Sequence, residues 1–392
     1  GVVQFLKVDD SRGADVIVGT RSFNSVSDLK PSTTIACAFP TASSTLLINW
    51  LDAGGKTTKD VKIVYVESGL KAAELFKNGN VDLAVVWSPD DGDCIAAVPG
   101  AHVVTSTKYA TSIIMDGMIA RRDVLEKKSE EFEKLVRAWL SANADMQNES
   151  NRRAAAEAFS NSFGFILDLV LDGVNKVRFS TYGDNLAFFG LDPNYNGVDG
   201  DDLYTRMSRI YAQTESDAGG FYAKNPIPWV KASYAGIIEN VSDMANKPNQ
   251  SAEGEIKFTA STKEDLARPS MATKMVSINF ATNEYLLDND AKTIIDREVG
   301  PIAKSWKGAK IRIEGNTDNT GDYNFNKQLS YSRANSVMNY LIKTYGFDVN
   351  KFEVIGNGPD KPANGMADIK AANANEGMRS ANRRTDFGLI AE

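Results

Sequence analysis

Residues 311–341, IRIEGNTDNTGDYNFNKQLSYSRANSVMNYL, decide how the last third of the chain folds. With Ala309 and Lys310 ahead of it, IRIEG is a short apolar and β-branched alternation that predicts a strand. NTDNTGDYN (316–324) concentrates Asn, Asp, Thr and Gly, the residues of tight turns. From about Phe325 to Thr344 the apolar stripe Ala334, Val337, Met338, Leu341 and Tyr345 follows three- and four-residue spacing, which predicts one long helix. Working outward, KMVSINFA (274–281) predicts a strand and DNDAKTIIDREVGPIAKSW (288–306) a helix. KFEVIGN (351–357) is a further strand, and RRTDFGLI (383–390) is a closing strand beyond a polar loop. This is a βαβαβ pattern with one added strand, an α+β domain over 271–392.

The preceding residues read differently. TTIACAF (33–39), VKIVYV (61–66), VDLAVVW (81–87) and AHVVTST (101–107) predict strands. Between them TASSTLLINWLDAGG (41–55), GLKAAELFKNG (69–79) and DDGDCIAAV (90–98) predict helices. Alternation with tight connections predicts α/β architecture, a parallel sheet with crossover helices. Residues 121–246 read as mostly helical additions. One amphipathic helix carries Phe132, Leu135, Val136, Trp139 and Leu140, and further helices cover 151–164 and 201–215. Residues 179–200 read as loop-rich. The polar, Pro-, Ser- and Gly-containing stretch 247–270 reads as a linker, leaving 1–246 as the first region.

Composition narrows the chemistry. The 392 residues hold one histidine, His102, and two cysteines, Cys37 and Cys94. Multi-histidine metal sites, Cys-rich zinc ribbons and disulfide scaffolds are thereby excluded, and no cofactor or metal is expected. His102 has no nucleophile or acid partner in the pattern and reads as structural, so no catalytic residue is assigned. The two cysteines read as buried free thiols, with a bridge as the alternative. Net charge is −7, and residues 271–392 hold 16 Lys+Arg against 15 Asp+Glu. Neither part has the basic excess that a nucleic-acid backbone demands.

The blocks IRIEGNTDNTGDYNFNKQLSYSRANSVMNYL, VIGNGPDKPA (354–363) and ANRRTDF (381–387) closely resemble the OmpA-like peptidoglycan-binding domain, over about Lys274 to Ile390. Members often carry His where this chain has Asn316. The resemblance implies recognition of diaminopimelate in the peptidoglycan peptide stem, a ligand with an ammonium and a carboxylate on one carbon. Asp318 matches the residue that takes the ammonium, and Arg333 the one that takes the carboxylate through its planar guanidinium. Thr317 and Asn326 match neighbouring polar contacts, and Asn283 of FATN and Arg384 of NRR match further pocket residues. Read singly, an Asp in such a turn caps its own backbone, and an Arg on a helix is solvated.

The N-terminal region, from VDDSRGADVIVGTRSF (8–23) through DVKIVYVESGLKAAELFKNGNVDLAVVW (60–87) to about Ile238, resembles periplasmic solute-binding proteins of the nitrate/sulfonate/taurine ABC-transporter group. That implies two α/β lobes around a cleft. It also implies that Gly1 falls inside the first lobe, relatives having roughly 80–100 further residues ahead, the size of one small α/β unit. The helix starting near Thr41 would offer an anion its N-terminus, with hydroxyls from Thr41, Ser43 and Ser44; plain N-capping is the competing reading. Trp87 and Asp10 complete the candidate solute residues, Trp87 being equally suited to core packing. The expectation is a non-enzymatic protein of the periplasm and cell envelope. It would hold peptidoglycan by one domain and carry, on a tether of about 24 residues, a domain that captures a small anionic or amino-acid-like solute for a transporter. The alternative is a scaffold whose solute-binding fold meets the proteins of a membrane complex.

Overall fold

The computed structural model describes residues 1–212, 226–278, 280 and 283–391; the end of the helix expected over 201–215 and parts of FATN lie outside them. Two compact units emerge. One comprises Gly1–Ser22, Lys30–Asn49 and Thr58–Gly254, the other Phe23–Leu29, Trp50–Thr57 and Glu255–Glu392.

The first unit contains two sheets. Its strands are β1 (Val2–Ser11), β2 (Asp15–Gly19), β3 (Thr34–Ala38), β4 (Lys62–Val66), β5 (Leu83–Trp87), β6 (His102–Ser106), β7 (Met115–Arg121) and β8 (Val177–Phe179). Five form a sheet in the order β4-β3-β5-β2-β6, and three form a sheet in the order β7-β1-β8. β3 runs parallel to β4 and β5, joined through helices as alternation requires. β2, which lies outside the stretch 33–107 whose alternation predicts the parallel sheet, is antiparallel to both β5 and β6. The cause is local: β2 is entered from β1 of the other sheet over three residues, with no crossover helix. The chain passes between sheets again after β6, and side chains tie the two passages together. Ser11 Oγ donates to Asp15 Oδ2 at 2.7 Å and lies 2.7 Å from Thr107 Oγ1, which accepts from Gly13 N at 2.9 Å.

Val3, Phe5 and Leu6 of β1 pack with Leu125, Val136, Leu140, Ile237 and Ile238 into one core. A second core joins Val16, Ala36, Phe76, Val86 and Cys94. Cys37 and Cys94 are both buried free thiols. Burial pushes the Cys94 thiol up to about 11. The amphipathic stripe of helix Ser129–Asp145 is narrower than its sequence suggests: Val136 and Leu140 are buried, whereas Leu135 and Trp139 are 42% and 36% exposed. Residues 179–200 are not purely loop, since Thr181 and Asp184 form a capping box that starts helix Tyr182–Phe188.

The second unit is one sheet in the order β11-β10-β12-β9, built from β9 (Ala272–Val276), β10 (Lys310–Asn316), β11 (Phe352–Gly358) and β12 (Thr385–Ile390). β10 and β11 are parallel and joined by helix Tyr323–Tyr345; β12 is antiparallel to β10 and β9. That helix lies almost on the strands. A Cβ at Gly315 would fall 2.1 Å from the Ser330 carbonyl oxygen, and one at Gly356 2.7 Å from that of Lys327. Only glycine permits such an approach. The single helix expected over 288–306 is two, Asn289–Glu298 and Gly300–Ser305, because Pro301 supplies no N–H to continue the first and suits the first turn of the second.

The polar stretch 247–270 is hydrogen-bonded within each unit. Gln250 Nε2 donates to the Leu140 carbonyl at 2.8 Å, and Glu253 N to Asp184 Oδ1 at 2.8 Å. Further along, Lys310 Nζ donates to the Thr259 carbonyl at 2.7 Å, and Arg312 donates to the carbonyls of Arg268 and Asp265.

Asp9 of β1 stands directly opposite Asp116 of β7, a destabilising like-charge pairing. Burial, then Asp116 and Asp10, push the Asp9 carboxyl up to about 7, against the Asp116 backbone N–H and Lys7. The folded chain therefore keeps a proton that the unfolded chain releases. This contribution is full at acid pH and is lost as pH rises through about 7. Thermal melts between about pH 5 and about pH 8 should show the first unit weakening as pH rises, with Asp9→Asn reducing that slope and raising the midpoint at about pH 8. A slope unchanged in the variant would place the proton elsewhere.

Candidate functional site

A cleft of about 860 Å³ opens in the second unit. Its walls come from the residues after β9, the end of β10 and the turn that follows, the first half of helix Tyr323–Tyr345, and helix Glu376–Asn382 with the start of β12. Asp318, Arg333, Thr317, Asn326, Asn283 and Arg384 all line it.

Asp318 is 9% exposed. Its Oδ1 accepts from Thr320 N at 2.9 Å, the turn-capping bond the sequence suggests, and its Oδ2 accepts from Arg383 Nη1 at 2.5 Å. Burial pushes the carboxyl up, but the Thr320 N–H and the Arg383 guanidinium outweigh it and hold the group below its ordinary value. Arg333 is half-buried on the helix. Its Nε donates to the Glu284 carbonyl at 2.9 Å, and its guanidinium lies 4.8 Å from the Phe280 ring centre. Burial pulls its pKa down, with Arg383 acting the same way and Asp318 opposing; it remains a cation at neutral pH.

The other four residues divide into two kinds. Thr317 is 5% exposed, and its Oγ1 is buried with no hydrogen-bond partner among the described residues. Asn283 adopts a left-handed backbone, φ 61°, after β9. Asn326 Nδ2 donates to the Thr320 carbonyl at 2.9 Å and so braces the turn that carries Asp318. Arg384 is the floor. Its Nε and Nη2 donate to Asp386 Oδ1 and Oδ2 at 2.9 and 2.8 Å, and its Nη1 to the Lys361 carbonyl at 3.1 Å. Asn316, at the position where relatives often have His, joins this floor: its Nδ2 donates to Asp386 Oδ2 at 3.1 Å and its Oδ1 accepts from Asn357.

Sequence reasoning missed Arg383, Glu376, Arg379 and Phe280. The doublet Arg383-Arg384 puts two cations just ahead of β12, and the two take different partners. Arg384 turns inward to Asp386, and Arg383 turns to Asp318. Glu376 and Arg379 stand at the i, i+3 spacing of one helix face, a signal that could have found that pair, whereas the ring under Arg333 comes from a segment with no spacing signal.

Of the five solute candidates of the first unit, Thr41, Ser43 and Ser44 lie together at the start of helix Ala42–Ala53. Thr41 Oγ1 donates to the Ala38 carbonyl at 2.8 Å, and Ser44 Oγ donates to the Thr41 carbonyl at 2.7 Å and lies 3.1 Å from the Tyr211 hydroxyl. Ser43 is fully buried, and its Oγ has no hydrogen-bond partner among the described residues. Trp87 ends β5 of the same sheet and is 40% exposed. Asp10 belongs to the other sheet, buried, with Lys7 Nζ at 2.8 Å and Arg12 Nη2 at 3.7 Å.

Residues 279–376 match the OmpA family and residues 4–160 the NMT1-like family. The chain joins an NMT1-like domain to an OmpA-family domain. The OmpA-family match includes Asn283, Thr317, Asp318, Asn326 and Arg333, and Arg384 lies beyond it. Outer membrane protein Omp38 of Acinetobacter baumannii is 36% identical over 105 residues, 27% of this chain and 27% of that protein. Outer-membrane lipoprotein YfiB of Pseudomonas aeruginosa is 39% identical over 83 residues, 21% of this chain and 45% of that protein. The chain thus spans less than half the length of these relatives. Among solved structures, the periplasmic aliphatic sulphonate binding protein SsuA from Escherichia coli aligns at TM-score 0.45 and 15% identity, covering 67% of this chain and 74% of that one. The peptidoglycan-associated lipoprotein from Burkholderia pseudomallei aligns at TM-score 0.25 and 25% identity, covering 30% and 92%.

The floor of the OmpA-family domain makes a stability prediction. Removing one partner of a buried ion pair leaves the other charge uncompensated. Arg384→Ala should destabilise this domain by about 3–5 kcal/mol in denaturant unfolding. A change under about 1 kcal/mol would show that Asp386 is rescued by water or takes up a proton.

Proposed function

We propose that the OmpA-family domain anchors this protein non-covalently to peptidoglycan by gripping the amino-acid head group of diaminopimelate, and that the protein works in the cell envelope by binding, not catalysis. The observation that carries this reading is one cleft holding a carboxylate below its ordinary pKa, Asp318, and a guanidinium laid on an aromatic ring, Arg333. The ligand's ammonium, with three N–H donors and no acceptor, suits Asp318. Its carboxylate suits the fork of Arg333, where two charge-assisted bonds fix orientation as well as energy. The buried, unpartnered Thr317 hydroxyl fits a ligand polar atom. The envelope location is supported by the outer-membrane proteins among the relatives.

For the NMT1-like domain, we propose binding of a small solute for delivery to a membrane transporter, with protein docking as the second reading. One observation favours the second: the hydroxyls of Thr41 and Ser44 already serve backbone carbonyls and Asp10 is ion-paired, which leaves Ser43 Oγ, without a partner among the described residues, as the one hydroxyl of the set open to a solute.

Co-sedimentation of the full chain with diaminopimelate-type peptidoglycan tests the anchoring reading. Asp318→Asn and Arg333→Ala should each weaken binding about tenfold or more, the scale of a charge-assisted hydrogen bond. Lysine-type peptidoglycan, whose side-chain amine carries no neighbouring carboxylate, should bind no better than the variants. Retention by both variants would end this reading.

A further inference from the structure

Arg383 occupies the oxygen that a ligand ammonium needs. Its Nη1 lies 2.5 Å from Asp318 Oδ2 and its Nη2 2.5 Å from Glu376 Oε1. Glu376 Oε2 accepts in turn from Arg379 Nε at 3.0 Å. The result is a chain of alternating charge, Asp318, Arg383, Glu376, Arg379, along one wall of the cleft. Exposure rises along its first three members. The Asp318 side chain is 12% exposed, that of Arg383 40% and that of Glu376 66%. Arg383 therefore bridges a buried carboxylate and a solvated one. Its neighbour Arg384 is 5% exposed and fixed by Asp386.

We propose that Arg383 is a displaceable internal cation and a specificity-determining residue of this site, which the ligand ammonium exchanges off Asp318 and onto Glu376. The inference rests on the diaminopimelate reading. Three cations cannot share the surroundings of one carboxylate at low cost: Arg333 and Arg383 already face Asp318, and a third would add like-charge repulsion in a half-buried setting. Transfer of Arg383 to Glu376 relieves it and leaves the guanidinium paired in solvent, where a pair costs little to make or break. The exchange also sets what binds. An amine lacking a carboxylate must break the Asp318–Arg383 pair and gains nothing from Arg333. A zwitterionic head group offsets that cost with its second charge. Arg383 thus makes the site read both charges together, a form of selection by competition rather than contact.

Isothermal titration calorimetry of the full chain with meso-diaminopimelate and with 1,5-diaminopentane tests this. Arg383→Gln should bind meso-diaminopimelate roughly two- to fivefold more tightly, the scale of a half-exposed ion pair, and should gain binding of 1,5-diaminopentane. Glu376→Gln, which removes the alternative partner, should weaken meso-diaminopimelate binding by a similar factor. Arg383→Lys, which keeps the cation, should stay near the wild-type value. Both sites are solvated, and circular dichroism verifies folding. Weaker binding in Arg383→Gln makes the residue a direct ligand contact and overturns the proposal alone, as do unchanged affinities in both Gln variants. Absence of binding in the wild type and in Arg383→Gln alike overturns the diaminopimelate reading and the exchange with it.

Discussion

The close approach of helix Tyr323–Tyr345 to the sheet is the constraint on which the cleft depends. With no side chain at Gly315 or Gly356, the helix backbone meets β10 and β11 directly. Its first turns are thereby held beside the end of β10, where the chain turns at Thr317 and Asp318. Asn326, one turn into the helix, bonds the Thr320 carbonyl and locks the turn to the helix. Arg333, two turns further on, then reaches the same cleft as Asp318. A Cβ at either glycine would push the helix off the strands and separate anion from cation. Backbone sterics in this domain thus set the spacing of its charges.

Much of this was legible in the sequence, for reasons that differ by element. Strand β10, the turn and the long helix each carry a strong local signal: alternation, turn residues, and a three-four stripe. The six cleft residues were reached through the order of recognisable blocks. Composition alone gives an Asp in a turn and an Arg on a helix two readings each. In Asp318 one carboxylate oxygen caps the turn, and the other, bonded to Arg383, lies in the cleft. Arg384 changed meaning, from pocket contact to floor, because burial and a partner two residues along the strand consume its charge. Arg383 and Glu376 escaped notice because their importance is relational: it arises from side chains 65 and 7 positions apart meeting at one carboxylate and its outer neighbour.

The NMT1-like domain shows where local pattern stops informing. Alternating strands and helices correctly mark β3, β4 and β5 as parallel. They are silent about β2, whose direction is imposed by the short passage from β1 and by the hydroxyl and carboxyl bonds among Ser11, Asp15 and Thr107. The same limit applies to its polar residues. Thr41 and Ser44 have the chemistry of an anion site and also of a helix start; the Thr41 hydroxyl bonds the Ala38 carbonyl at the end of β3, and the Ser44 hydroxyl the Thr41 carbonyl just ahead of the helix. A buried hydroxyl already satisfied by its own fold has less to offer a ligand than those of Ser43 and Thr317, which have no partner among the described residues.

The central claim is that Asp318 and Arg333 divide the two charges of an amino-acid head group between them. A crystal structure of the chain soaked with meso-diaminopimelate addresses it most directly. The account predicts the ligand nitrogen within hydrogen-bonding distance of the Asp318 carboxylate and the adjacent carboxylate bidentate on the Arg333 guanidinium. Ligand density elsewhere on the chain, or in the cleft with its ammonium turned away from Asp318, would contradict it.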